Sequence, residues 1–249
     1  MISIVVVVNK NEIYKEWLKK SLTDQSIEKY EIIEVNNFNN EYKSLSKLYN
    51  NAIDKCSGNW IMFAHQDVRF LNNSELENIE NKLNEISSRN DRIKLFGVAG
   101  VKEGKNAIGI SSIFHGEDKR GGDVNAFNGC DCQEVQTVDA CCFFIKKEDI
   151  NEYRFDTKLN GFHMVVEELC LRIRENGESV VVIPCNLWHL SDGKSLDSTY
   201  YRETIKVVKS HKNISFINTT SFRWRVNRWL CIKLRYFQLR NYIHHKLIK

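Results

Sequence analysis

Two pairs of side chains stand out by type and spacing. His65 and Asp67 flank Gln66 just after the apolar run Trp60 to Ala64. Residues two apart in an extended chain project to the same side, so an imidazole and a carboxylate converge where that run leaves a sheet. Oxygen and imidazole donors of this kind suit a divalent cation, and a solvated turn without a ligand is the plainer alternative. Glu167 and Glu168 form a carboxylate pair near the start of a helical pattern carrying Val166, Leu169, Cys170 and Ile173. A carboxylate can take the proton of an attacking hydroxyl. Two acids at a helix start are equally favoured by the free N–H groups there.

The elements that must position these groups alternate along the first half of the chain. Ile2 to Val8 is a continuous β-branched run, as expected of a strand covered on both faces. Tyr14, Trp17, Leu18 and Leu22 follow at helical spacing, and Glu31 to Val35 makes a second strand. Leu45, Leu48, Tyr49, Ala52, Ile53 and Cys56 mark another helix face, closed by Gly58, before the third strand at Trp60 to Ala64. Right-handed crossovers between such strands predict an open, mostly parallel α/β sheet flanked by helices, with ligands at the strands' carboxyl ends. Those ends fall at Asn9, Asn36 and His65.

The second half is more mixed. Ser74 is placed to cap a helix through Leu76, Ile79, Leu83 and Ile86, and Lys94 to Val101 reads as a strand. Gly104 to Gly129 is a glycine-punctuated stretch too long for a simple connection. Glu134 to Ile145 reads as one long strand, Val165 to Asn176 as a helix and Val180 to Ile183 as a short buried strand. From Ser195 onward the pattern reads as helical and basic.

Composition narrows the classes. With 249 residues, 42% hydrophobic and 27% charged, the chain is globular, and no run approaches the roughly 18 apolar residues of a spanning helix. The opening apolar run has neither a basic lead nor a small-residue cleavage site, which favours a buried strand over a signal peptide. Eight cysteines include an adjacent pair and no CxxC spacing, which points to a reduced, cytoplasmic chain rather than a disulfide framework. Cys130 and Cys132 followed by Cys141 and Cys142 give poor structural-zinc spacing.

Several ordered segments resemble glycosyltransferase family 2, in particular its small glycosyltransferase-like branch in which HQD replaces the aspartate-x-aspartate signature. They are SIVVVVNKNE, WLKKSLTDQS, EIIEVNN, NNAIDKCSGNWIMFAHQDV, VDACCFFIKK, and FDTKLNGFHMVVEELCLRIRENG followed by WHLS. The resemblance spans roughly Ser3 to Ser191. It implies a GT-A fold over 1–193, and the charge and helical pattern beyond it read 194–249 as a basic, aromatic-rich helical extension. It implies transfer of a sugar from a nucleoside-diphosphate sugar to a glycan or lipid-linked acceptor, with inversion and with a divalent cation. A non-catalytic carbohydrate- or nucleotide-binding protein on the same fold is the alternative.

In the terms of that resemblance, Asp67 matches the cation-binding aspartate, and His65 takes the place of the residue that touches the ribose or the metal. His189 completes the metal or diphosphate site. Imidazole favours manganese over magnesium. Nucleoside contacts fall on Val8, Asn9, Glu12, Asn36 and Asn37, where amides replace the family's aspartate. An amide can still pair with a uracil edge, so uridine diphosphate is favoured. Glu168 sits at an acidic position of the branch, whereas the better-known family base aligns nearer Val166, so Glu168 or Glu167 is assigned as base. Asp139 and Asp156 stand in reserve. Asp139 and His163 are placed on the acceptor side, with the loop Asn160 to His163.

The tail is a distinct electrostatic unit. After Glu203 no acidic residue occurs, while eleven lysines and arginines do, interleaved from Phe222 onward with Trp224, Trp229, Tyr236, Phe237 and Tyr242. The pattern suits an anionic membrane surface or a lipid-linked acceptor, with the favoured reading placing the protein on the inner face of the membrane; packing of these aromatics on the catalytic domain, with the charges solvated, is the alternative. No nucleic-acid-binding module accompanies the charge.

Overall fold

A computed structural model of the chain describes residues 1–39, 41–122, 127–191 and 197–247. Its centre is a seven-stranded sheet in the order Gln133–Val135, Ser179–Val182, Ile93–Gly97, Cys142–Lys146, Trp60–His65, Ile2–Val8, Tyr30–Asn36. Cys142–Lys146 is antiparallel to both of its neighbours and Gln133–Val135 is antiparallel to Ser179–Val182. The remaining strands share one direction, which gives the mostly parallel α/β sheet that the alternation of elements predicts.

The first strand shows why the sheet is covered on both faces. Val5 joins one buried cluster with Ile61, Phe63, Phe143 and Val180. Ile2, Ile4, Val6 and Val8 join the other with Trp60, Met62 and Ala64. Alternate side chains point to opposite faces, and each fully buried aliphatic stabilises the fold by about 1.5–3 kcal/mol. The second cluster is closed by Tyr14, Leu18 and Leu22 and by Leu76, Ile79, Leu83 and Ile86 of the helix Glu75–Arg89. The first helical stretch runs Asn11–Tyr14, a π-helical turn Lys15–Lys19, then Lys20–Thr23. The first cluster is closed by the helices Leu45–Ile53 and Val165–Glu175.

Three sequence expectations are corrected. Glu134 to Ile145 is not one strand: Gln133–Val135, Thr137–Val138 and Cys142–Lys146 belong to different ladders. The first break falls at Gln136, and the second at Asp139, whose Oδ1 accepts the Cys141 N–H at 2.9 Å, a local bond that competes with strand pairing. Lys94 to Val101 likewise splits into Ile93–Gly97 and Ala99–Val101, which lie in different sheets. A Cβ at Gly97 would lie 2.5 Å from Val138, so the crossing of the two layers needs glycine there.

The third correction is that the region after Ser195 is not uniformly helical. Between the helices Ser198–Ser210 and Leu230–Leu247, Phe216–Asn218 and Arg223–Arg225 form an antiparallel hairpin. Its turn is held by Thr219, which exchanges backbone and hydroxyl bonds with Phe222. The proposed boundary at 193/194 lies outside the described residues. On its far side Tyr200, Ile205, Val207, Val208, Ile217, Trp224, Leu230 and Leu234 belong to the same buried cluster as the sheet. The stretch Gly104 to Gly129 is described except at 123–126. It contributes the short strands Gly109–Ser111, Phe114–His115 and Arg120–Gly121.

Candidate active site

The third strand ends at His65, beside Val7 of the first. Gln66 then turns the chain. Its Oε1 accepts the Asn9 and Lys10 N–H groups at 3.0 and 2.9 Å, and its amide donates to the Asn9 Oδ1. Asn9 is thereby tied to the HQD segment at the mouth of the sheet. After Asp67 the short strand Val68–Phe70 pairs antiparallel with Leu187–His189, which sets His189 opposite Val68. The Leu190 N–H donates to the Asp67 carbonyl at 3.0 Å.

Main-chain pairing alone therefore gathers three donors from two distant stretches. His65 Nδ1 lies 3.3 Å from His189 Nε2, and His189 Nε2 lies 3.4 Å from Asp67 Oδ1. One ligand atom from each residue lies within 4.8 Å of the others. The set fits a metal: it offers two imidazoles and one carboxylate, and the other ring nitrogen of His189 is buried with no hydrogen-bond partner among the described residues. Burial and His189 hold His65 below its ordinary value against the pull of Asp67 and Asp139, which favours the neutral, ligating imidazole.

A second corner lies next to it. Asp139 Oδ2 accepts the Thr220 hydroxyl at 2.5 Å. Burial pushes this carboxyl up, but Thr220, the Cys141 N–H and the fields of His65 and His189 outweigh it and hold Asp139 below the usual range. Glu167 is half-buried, and burial together with Asp139 raises it to about 7, its own backbone N–H opposing. The helix carrying it starts from Met164, whose φ of +64° is left-handed and costly for a side-chain-bearing residue.

The two neighbouring glutamates differ sharply. Glu168 is buried in a bidentate ion pair with Arg172, at 3.0 and 3.1 Å, with His211 Nε2 3.7 Å away. Burial raises Glu168, but His211 and Arg172 more than offset it and hold it below the usual carboxylate value.

The other residues singled out in the sequence are spread around this centre. Val8 is buried and its carbonyl accepts the Asn37 N–H at 2.8 Å. Asn37 is buried too, and its amide exchanges bonds with the Tyr42 backbone, so it shapes its own loop. Asn36 closes the second strand, exposed, and Glu12 is exposed in the first helical turn. His163 faces Asp197 at 3.6 Å and the Tyr200 ring. Asp156 accepts the Lys158 N–H, a turn contact.

Two residues escaped the sequence reading. His115 lies opposite His189 in a parallel ladder, with ring centroids 5.6 Å apart; a histidine inside a polar, glycine-rich stretch gave no periodic signal. Thr220 reaches Asp139 from a hairpin that the helical pattern concealed. That hairpin is bonded to the Gln136–Thr137 segment: Gln136 donates to the Phe216 carbonyl, Thr137 to that of Asn218, and Asn218 N–H to Gln136 Oε1.

A mixed sheet with helices on both faces, and a carboxylate and histidines at the parallel strand ends, defines the GT-A class of nucleotide-sugar transferase folds. The glycosyltransferase-like family model matches residues 3–212, and the chain belongs to that family. Solved structures agree on the fold. TarS of S. aureus is 14% identical with a TM-score of 0.55, covering 86% of this chain and 40% of that one. TarS residues 1–349 with UDP-GlcNAc is 14% identical with a TM-score of 0.56, covering 86% and 67%. GalNAc-T7 with UDP, GalNAc and Mn2+ is 14% identical with a TM-score of 0.60, covering 84% and 47%. The chain thus spans about two fifths of that TarS chain. No curated protein matches it.

Proposed function

We propose that the protein transfers a sugar, with inversion, from a nucleoside-diphosphate sugar to a glycan or lipid-linked acceptor, with a divalent cation held by His65, Asp67 and His189. The observation that carries this reading is the convergence of those three donors within 4.8 Å at the strand ends, beside a carboxylate raised to about 7. A cation bound there offsets the charge gained by a departing diphosphate. Manganese is favoured by the imidazole donors and by the Mn2+ in the GalNAc-T7 structure. Uridine diphosphate is favoured because TarS and GalNAc-T7 were solved with UDP or UDP-GlcNAc.

Glu167, rather than Glu168, is assigned as the base. A base works best with a pKa near the operating pH, and Glu167 has that value, whereas Glu168 is committed to Arg172. Glu167 takes the acceptor hydroxyl's proton as that oxygen attacks the anomeric carbon opposite the diphosphate. Asn9, Glu12, Asn36 and the Val8 backbone are assigned to the nucleoside side, with Asn37 shaping their loop. Asp139 and His163 are assigned to the acceptor. The catalytic unit is assigned to 1–193, with 194–249 as an extension that closes over the acceptor side through Thr220. The eight free cysteines suit a reducing cytoplasm, and the inner membrane face is the proposed place of action.

Calorimetry with uridine, guanosine and cytidine diphosphates, with and without manganese, tests the reading. Manganese-dependent binding of uridine diphosphate, lost in Asp67→Ala, is expected. Absence of binding by every nucleotide removes the catalytic reading at its centre, and binding without turnover on any acceptor converts it to a binding protein.

A further inference from the structure

As far as Ile243 the helix Leu230–Leu247 is apolar on two opposite sides, and among the described residues only one of them is packed. Leu230 and Leu234 are buried in the core, with Cys231 and Phe237 partly buried against it. On the other side Trp229, Ile232, Tyr236, Leu239 and Ile243 are exposed, Trp229, Ile232, Tyr236 and Leu239 each by about 60%. Their spacing of three, four, three and four residues draws a single stripe along the helix. Soluble surfaces scatter large apolar residues singly; a continuous stripe marks an interaction face.

The charges around the stripe select its partner. Lys233 and Arg240 lie along one edge and Arg235 along the other, all exposed, and no acidic residue follows Glu203 in the sequence. A second copy of this helix would bring only like charges together across the seam, without the opposite-charge flanks that pair two such helices. An anionic bilayer offers what the face lacks: hydrocarbon at the headgroup boundary for the stripe and negative headgroups for its flanks. Among the described residues no helix is long and apolar enough to cross a membrane, so the geometry is that of a helix lying on the surface.

We infer that the exposed face of Leu230–Leu247, led by Trp229, docks the protein onto an anionic lipid surface, inserting Ile232, Tyr236, Leu239 and Ile243 between headgroups held by Lys233, Arg235 and Arg240. The inference deepens the proposed placement at a membrane. Its readout is lipid binding, so it stands or falls separately from sugar transfer.

Co-sedimentation of the full chain with vesicles is the test, comparing phosphatidylcholine alone with phosphatidylcholine containing phosphatidylglycerol. Partitioning onto the anionic vesicles is expected to exceed that onto neutral ones by at least about tenfold and to weaken with salt. Ile232→Ser/Tyr236→Ser/Leu239→Ser should lose at least about tenfold, and Arg235→Gln/Arg240→Gln should reduce anionic binding while leaving neutral binding unchanged. All five positions are exposed, and an unchanged melting temperature verifies the fold. Equal partitioning of parent and triple variant overturns the inference, as does absence of binding to anionic vesicles. A lipid-free dimer in sedimentation velocity that the triple variant abolishes also overturns it, assigning the stripe to a second copy.

Discussion

The proposed cation corner and the proposed base corner of this site lie side by side but are built differently. His65, Asp67 and His189 are placed by strand register: each sits at or beside a strand end, and the pairing of Val68–Phe70 with Leu187–His189 fixes their approach. Asp139 and Glu167 are placed by side-chain chemistry: an Asx-type turn, a helix start with left-handed Met164, and a hydroxyl arriving from residue 220. Backbone ladders are cooperative and tolerate side-chain changes. A corner held by single hydrogen bonds can be retuned by one substitution. On the proposed function, this sets a rigid donor side beside an adjustable acceptor side, a useful division for a fold that hosts many functions.

The largest effect expected from breaking this pattern is at the base. Glu167→Gln should lower kcat about 10³-fold while leaving nucleotide affinity in place, a split read by turnover and calorimetry together. In the parent, the base must be ionised, so kcat rises with pH and levels above about 7; the variant should lose that limb. At the cation corner, Asp67→Ala should cost at least about 100-fold in metal-dependent nucleotide affinity and leave the melting temperature nearly unchanged. Intact metal-dependent binding would move the cation elsewhere.

Glu168→Gln sharpens the contrast between neighbouring glutamates. It should destabilise the fold by about 2 kcal/mol, because it weakens a charge-assisted bond to Arg172, and should spare kcat once folded; a 10³-fold loss of turnover would return the base to Glu168. Thr220→Val removes one donor from Asp139 and should raise the acceptor KM or lower kcat by about tenfold, the worth of one hydrogen bond to a charged group.

The smallest effect concerns His211. Burial opposes its charge, but Glu168 and Glu175, the latter 2.8 Å from Nδ1, raise its pKa above 6.5. Its contribution is therefore fully present below 6.5 and fades as pH climbs through the raised value. Glu168, held low, contributes above its ordinary value of 4.5 and loses that contribution as pH falls through its folded pKa. The melting temperature should decline modestly on the alkaline side, and His211→Ala should flatten that decline.

The sequence by itself determined the first three strands, the HQD segment at the third strand's end, and the helix carrying both glutamates. In each, a local rule suffices: β-branched runs bury, apolar residues recur at helical spacing, and residues two apart share a face. Partnerships were decided only by tertiary structure. Glu167 and Glu168 are indistinguishable by type; Arg172 and His211 make Glu168 a structural ion pair, while burial, with the field of Asp139 added, makes its neighbour a carboxylate near 7. His115 and Thr220 enter the site through pairings some 75 and 80 residues away in sequence, which no local pattern carries. Around His65 and Asp67, spacing placed two donors on one side of the chain. Only the antiparallel return of Leu187–His189 brought the third, because strand register is a property of the assembled sheet.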